Sequence, residues 1–516
     1  MVNLIDFQLR PLEDEERVWR SVIYAPPALP QTAVRVLYRR RTLHVGAEAL
    51  FVALFGAARN AFWLDSSREM PGLSRFSFMG DARGADVLRY DSSERRVEVE
   101  PDNADMHDER AERGFFRYLR DRLQRYQVAG NDLPFDFVGG FVGYFGYELK
   151  AECGGRAAHR SAQPDAAGLW ARRFLAIDHE KGEVYAVAIC DSDDGNDAAK
   201  AWLSEMERRI EAITQPAPAR TGSDRATVAF GLEAHSSTYL EAVDRALEYI
   251  NAGDTYEVCL TNRIRGTLDG EPLELYRLLR RINPAPFAAF LRLNGLAVLC
   301  SSPERFLRID RDRNVQAKPI KGTARRGADE AEDRRIAAQL AASDKNRSEN
   351  LMIVDLLRND LGRVCEIGSV RVPTLMAIES YATVHQMVST ITGHLRPDMH
   401  GMDCIRAAFP GGSMTGAPKI HTMEILDGLE ASARGVYSGA LGYVSLNGCA
   451  DLNIVIRTIV LQDGEMTIGV GGAIVAGSDP REEFEETLLK AKALLDAVAI
   501  YKRGDLEGAP YRIEGA

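Results

Sequence analysis

The chain has 516 residues, of which 45% are apolar and 27% charged, so it is long enough for more than one lobe around a sizeable core. Its net charge of −11 is spread out rather than blocked, which argues against nucleic acid or an anionic membrane as the main partner. The 7 cysteines are odd in number and contain no CxxC, a pattern that predicts free thiols and no structural zinc. Residues Met1 to Glu16 are acidic without an apolar stretch, and no apolar run reaches spanning length. These features predict a cytoplasmic protein without signal peptide or membrane helix.

In chain order, Ala61 to Ser67 runs from apolar to polar and Ser74 to Phe78 alternates as a strand would. Asp108 to Gln127 places Phe115, Phe116, Leu119, Leu123 and Tyr126 at helical spacing, predicting an amphipathic helix. The glycine- and aromatic-rich Val138 to Gly146 suggests close strand packing rather than a phosphate loop. Asp191 to Asn196 and Thr214 to Arg225 read as a loop and a linker. The second sets a boundary between residues 1–225 and 226–516.

Beyond it, Thr238 with Glu241 forms a capping-box pattern ahead of an apolar helical face that stops at Gly253. Tyr256 to Ile264 and Ala288 to Cys300 read as strands, and Glu330 to Ser343 and Ser348 to Arg358 as helices. Asn447-Gly448 and Asp463-Gly464 lie between β-rich runs at Ala440 to Leu446, Leu452 to Val460 and Met466 to Val470, predicting consecutive hairpins. Arg481 to Ala499 reads as a closing helix. Meanders in place of strict β-α alternation predict an α+β fold of antiparallel sheets flanked by helices.

Several residues bear chemistry. Lys321 sits between Pro319 and Gly322, which stiffen its approach and admit a ligand. Lys318, Arg325 and Arg326 surround it in an acid-poor stretch, which favours a depressed amine pKa if they face it, whereas carboxylates of the pocket keep it charged if Arg325 and Arg326 face away; a surface lysine beside a turn is the plainer alternative. Glu483, Glu486 and Lys490 share one helical face, and Glu349 leads an apolar helix. Two carboxylates with substrate oxygens and water suit Mg²⁺, against a simple surface Glu–Lys pair. Glu304 follows a buried-looking strand. Gly411 to Lys419 and Gly469 to Ala473 match neither a P-loop nor a dinucleotide fingerprint, but both could offer N–H groups to a carboxylate, the first at a helix beginning near Ala417.

Together, Gly253 to Thr261, Ser301 to Phe306, Pro319 to Thr323, Glu349 to Leu356, Arg358 to Val364, Phe409 to Lys419 and Glu483 to Lys490 resemble the chorismate-utilising enzymes of the anthranilate synthase component I type. The resemblance implies a layered α+β sandwich and Mg²⁺ as cofactor. Pro-Ile-Lys-Gly-Thr and Glu349-Asn350 are similar to the branch that makes 4-amino-4-deoxychorismate, a precursor of p-aminobenzoate and folate. It implies Lys321 as nucleophile at C2 of chorismate, Glu304 as general acid for the C4 hydroxyl, and ammonia entering at C4. It further implies Glu349 and Glu486 as Mg²⁺ ligands with Glu483 ligating or supporting. Gly322, Thr323, His385, Ser413, Tyr437, Arg457, Gly472, Ala473 and Lys490 would form the substrate pocket. Asp65, Ser66, Pro284 and Phe287 fall where relatives bind tryptophan. Ala473 stands where a third glycine is common and Glu257 where glutamine is frequent. No Gly-x-Cys-x-Gly turn is present, so a separate glutamine amidotransferase is expected to supply ammonia, and no fused lyase is expected. Anthranilate formation, isochorismate formation and a non-catalytic binding role are the alternatives.

Overall fold

The strand Asn60–Asp65 shows how the layers are built. Phe62 faces one apolar core, while its neighbours Ala61 and Trp63 face another. A strand with both faces buried alternates its side chains between two cores, here one between the two sheets and one under a layer of helices. Leu291 and Phe290, and Val187 and Ala186, divide in the same way. The computed structural model describes residues 31–516 except 71, 103, 129, 192, 220, 223–226, 381–383 and 505–509. The boundary at 225 and the acidic stretch Met1 to Glu16 lie outside these described residues.

One sheet has 14 strands and the other 12, and both take strands from either side of residue 225. Pairing is antiparallel except where Thr32–Thr42 meets Tyr126–Val128 and where Val228–Leu232 meets Tyr511–Glu514. With helices on the outer face, this is the expected α+β sandwich. Gly143 lies between Gly168 and Gly442 in three adjacent strands, the close packing that the glycine-rich stretch predicts.

Several local readings change. The helix expected over Asp108 to Gln127 is only Phe115–Leu123, because the chain is extended at His107–Arg110 and Tyr126–Val128 and pairs there with neighbouring strands. Helix Asp193–Glu211 begins inside the stretch read as a loop. The helix after the linker is capped from His235 rather than Thr238 and ends, as expected, at a left-handed Gly253. Ala288 to Cys300 is a hairpin, Phe287–Leu293 with Leu296–Ser302. Helix Asp344–Gly362 starts earlier than predicted, with Ser343 accepting from the Asn346 N–H. Gly412–Met414 is a single 3₁₀ turn, Gly416–Ala417 pairs with Glu257 and Val258, and the helix waits until Lys419–Leu429.

The change that matters most for function is at Leu452 to Val460. The sequence reads as one strand, but Ala450–Ile454 belongs to the smaller sheet and Thr458–Gln462 to the larger. The chain crosses between sheets at Val455-Ile456-Arg457, where Arg457 takes a φ of 51°. Crossing there ties the sheets together beside the helix Pro480–Arg503 and gives Arg457 a neighbour on it.

Candidate active site

Lys321, Glu257 and Glu349 meet from three separate elements. The strand Ile320–Arg325 closes one end of the smaller sheet, and its irregular register between Ile320 and Thr323 interrupts the alternation that a regular strand would impose. Gly322 has a φ of 78°, and a Cβ there would lie 2.7 Å from Asn346 Cγ, so only glycine fits comfortably. Lys321 is 8% exposed and donates to Glu257 Oε1 at 2.6 Å, with Glu349 Oε2 3.5 Å away. Glu257 comes from the larger sheet and Glu349 from the helix Asp344–Gly362.

These contacts decide between the two charge states open to the lysine. Arg325 pairs with Glu332, Arg326 with Asp333 and Lys318 with Glu379, so the cationic neighbours are engaged elsewhere. Burial disfavours the Lys321 ammonium, but the Glu257 and Glu349 carboxylates outweigh it and hold the amine well above its ordinary range. Burial likewise pushes the Glu257 carboxyl up, against the pull of Lys321. Lys321 therefore rests as an ammonium, paired and aimed.

Glu304 follows the strand Leu296–Ser302 and is buried, accepting from Ser413 Oγ at 2.9 Å. Burial raises its carboxyl to about 7, while the hydrogen bond from Ser413 and the charge of Lys321 oppose the shift. A carboxyl in that range can hold a proton near neutral pH and release it.

Glu483 and Lys490 of the closing helix lie beside Gly472 in the strand Glu465–Ile474. A Cβ on Gly472 would be 3.2 Å from Glu483 Oε2 and 3.8 Å from Lys490 Nζ, so glycine leaves a small cradle there. Lys490 reaches Glu486 at 2.7 Å and the Gly471 carbonyl at 2.9 Å. Arg457 Nη1 donates to the Lys490 carbonyl at 2.9 Å, and burial lowers its guanidinium from the ordinary value. Tyr437 packs against Gly469, and Ala473 pairs with Cys259.

Among the described residues, no three His, Cys, Asp or Glu side chains gather as a metal-holding group. Each expected metal carboxylate holds a lysine instead: Glu349 with Lys321, Glu483 with Lys345 and Glu486 with Lys490. The donors still fit a hard cation, since they are all carboxylate oxygens and the Gly472 cradle leaves room beside Glu483.

Two expected pocket residues stand apart. His385 uses both ring nitrogens away from the cluster, Nδ1 with Ser380 at 2.7 Å and Nε2 with Asp333 at 2.9 Å. It fastens the strand Val384–His394 to the helix Glu330–Ala342. Thr323 is exposed. Lys419, at the end of the glycine-rich Gly411 stretch, is tied to Asp360 at 2.6 Å and the Ala408 carbonyl at 2.7 Å. Conversely, Lys345 enters the site without having been singled out, and Glu257, noted only for standing where glutamine is frequent, enters it as the partner of Lys321. Lys345 and Glu349 lie four apart on one helix, a spacing visible in the sequence once the helix is known to start at Asp344.

Elsewhere, a cavity of about 370 Å³ is lined by Asp65, Ser66, Pro286 and Phe287, with Phe76, Phe135 and Tyr443. Pro284, expected there, is not in the lining. Asp65 is already bonded to the Tyr276 hydroxyl and Arg280.

Residues 80–496 match the chorismate binding enzyme family, and the chain belongs to that family. Within it, the chain is 48% identical over 480 residues to the aminodeoxychorismate synthase of Streptomyces pristinaespiralis, covering 92% of this chain. It spans only 66% of that relative's length. It is 42% identical to aminodeoxychorismate synthase component 1 of Salmonella typhimurium, over 70% of this chain and 77% of the relative. The solved anthranilate synthase component I from Streptococcus pneumoniae superimposes with a TM-score of 0.70 at 27% identity, covering 82% of this chain and 92% of that one.

Proposed function

We propose that the chain aminates chorismate at C4 to give 4-amino-4-deoxychorismate. The observation that carries this reading is the buried Lys321 ammonium, hydrogen-bonded at 2.6 Å to Glu257, in a pocket whose other acid, Glu304, titrates at about 7. The naming of the relatives supports it.

In the first displacement, Lys321 passes a proton to Glu257 across their hydrogen bond and its free amine attacks C2 of the ring. Both conjugated ring double bonds shift by one position, and the C4 hydroxyl leaves as water with the proton of Glu304, held in place by Ser413. In the second, ammonia adds at C4, both double bonds return and the C2–nitrogen bond breaks. The new amine gives one proton to Glu304, and Lys321 recovers its own from Glu257, so acid and base are reset. Arg457 and Lys490 supply the cations that a dicarboxylate substrate needs. Glu349 and Glu486, supported by Glu483, would hold Mg²⁺, which when bound supplies charge neutralisation for a substrate carboxylate. Ammonia comes from a glutamine amidotransferase partner, with free ammonia as substitute.

The test is incubation of the full chain with chorismate, MgCl₂ and ammonium chloride, followed by chromatographic and mass identification of the product. Aminodeoxychorismate is expected. Anthranilate or isochorismate would overturn the reading in favour of a C2 chemistry that has no evident use for Lys321, and no turnover at any ammonium concentration would favour a binding protein.

A further inference from the structure

Three carboxylates of the site, Glu349, Glu483 and Glu486, each face an ammonium group, that of Lys321 being shared between Glu349 and Glu257. A divalent cation approaching these carboxylates therefore meets positive charge already in place. The three lysines are not equally held. Lys321 is buried and is bonded to Glu257 as well as facing Glu349. Lys490 has a second acceptor in the Gly471 carbonyl. Lys345 holds Glu483 at 2.7 Å, and its side chain is 41% exposed. Its long stem stands on the first turns of the helix Asp344–Gly362, one turn before Glu349, so rotation about its own bonds can carry the ammonium into water while the backbone stays still. Glu483, by contrast, is 1% exposed and cannot follow it out. A buried carboxylate released from its lysine needs another cation, and the Gly472 cradle beside Glu483 Oε2 is where one can be received.

We infer that Lys345 is a built-in counter-ion that occupies the charge position of the divalent metal and is exchanged for it, so that metal binding and release of Lys345 are one event. This rests on the metal-site reading above. Lys345 bridges the helix Asp344–Gly362 to the helix Pro480–Arg503. With a divalent cation bound, Glu483 would be neutralised by the cation and the lysine would become a solvent-facing side chain. The arrangement keeps the acidic site folded before loading and sets the metal affinity below what its carboxylates alone would give.

The experiment is titration of the full-length protein with Mg²⁺ by calorimetry and with Mn²⁺ by electron paramagnetic resonance, without substrate, for the native protein, Lys345→Met, Lys345→Arg and Glu486→Gln. Lys345→Met is expected to bind Mg²⁺ about tenfold more tightly than the native protein, equivalent to about 1.4 kcal/mol. Its metal-free melting temperature should fall, and Mg²⁺ should raise it by more than it raises the native value. Lys345→Arg, which keeps the charge, should bind metal like the native protein. Metal affinity of Lys345→Met equal to or weaker than native would overturn the exchange and leave Lys345 a structural bridge. If neither native protein nor Lys345→Met binds metal, or if Glu486→Gln binds as well as native, the metal-site reading itself fails.

Discussion

Replacing Glu304 by glutamine keeps the shape of the side chain and removes its ionisation. The carboxyl is buried and lies at about 7 in the folded protein, against 4.5 for a solvated glutamate. Below 4.5 folded and unfolded chains both keep the proton. Between 4.5 and 7 the unfolded chain releases it and the folded chain does not, so the native protein loses stability as pH rises through that window. At 1.36 kcal/mol per pH unit the loss is about 3 kcal/mol, and it is complete above about pH 7. Glu304→Gln has no such term, whereas all other titrating groups are common to both proteins. The stability difference, variant minus native, should grow by about 3 kcal/mol between pH 4.5 and pH 7.5. Urea unfolding of the two proteins, followed by circular dichroism across that range, measures it directly. The same variant should lose most of the C4 amination, because a hydroxyl leaving without a proton donor is slow. A stability difference that stays flat with pH would show that Glu304 titrates like an exposed carboxylate and would remove it as the acid.

Lys321→Met leaves Glu257 and Glu349 facing each other without a cation. A loss of about 3 kcal/mol is expected at pH 8, shrinking as pH falls and the Glu257 carboxyl, which burial pushes up, takes up a proton, read by denaturant unfolding across pH. Gly322→Ala puts a methyl against Asn346 at a positive φ; about 2 kcal/mol of stability should go, with amination falling because the Lys321 strand is displaced. Glu486→Gln should shift the Mg²⁺ dependence of turnover to higher concentration at least tenfold, and an unchanged metal titration would remove Glu486 from the site.

Much of this was legible in the sequence because it is carried by local pattern. The hairpins at Asn447-Gly448 and Asp463-Gly464, the stop at Gly253 and the stiff Pro319–Gly322 stretch follow from turn chemistry and periodicity. Two features were hidden because they depend on what lies across the fold. Leu452 to Val460 has the composition of one strand, and nothing local announces that residues on either side of Arg457 join different sheets. The charge state of Lys321 was left open by the sequence for the same reason. Arg325 and Arg326 are its sequence neighbours, but Glu257 and Glu349, 64 and 28 positions away, are the groups it meets. His385 is the converse case: the resemblance placed it beside the substrate ring, and the structure binds both its nitrogens to Ser380 and Asp333. Charge and orientation are set by contacts between elements rather than within them.

The central claim is that Lys321 becomes covalently attached to the substrate at C2. Its most direct test is intact-protein and peptide mass spectrometry after incubating the chain with chorismate and Mg²⁺ in the absence of ammonia. The account predicts a mass increase equal to chorismate less water, located on the peptide that contains Lys321 and absent from Lys321→Ala. Amination at C4 by Lys321→Ala at the native rate over the full ammonia range, with no adduct on the native protein, would contradict it.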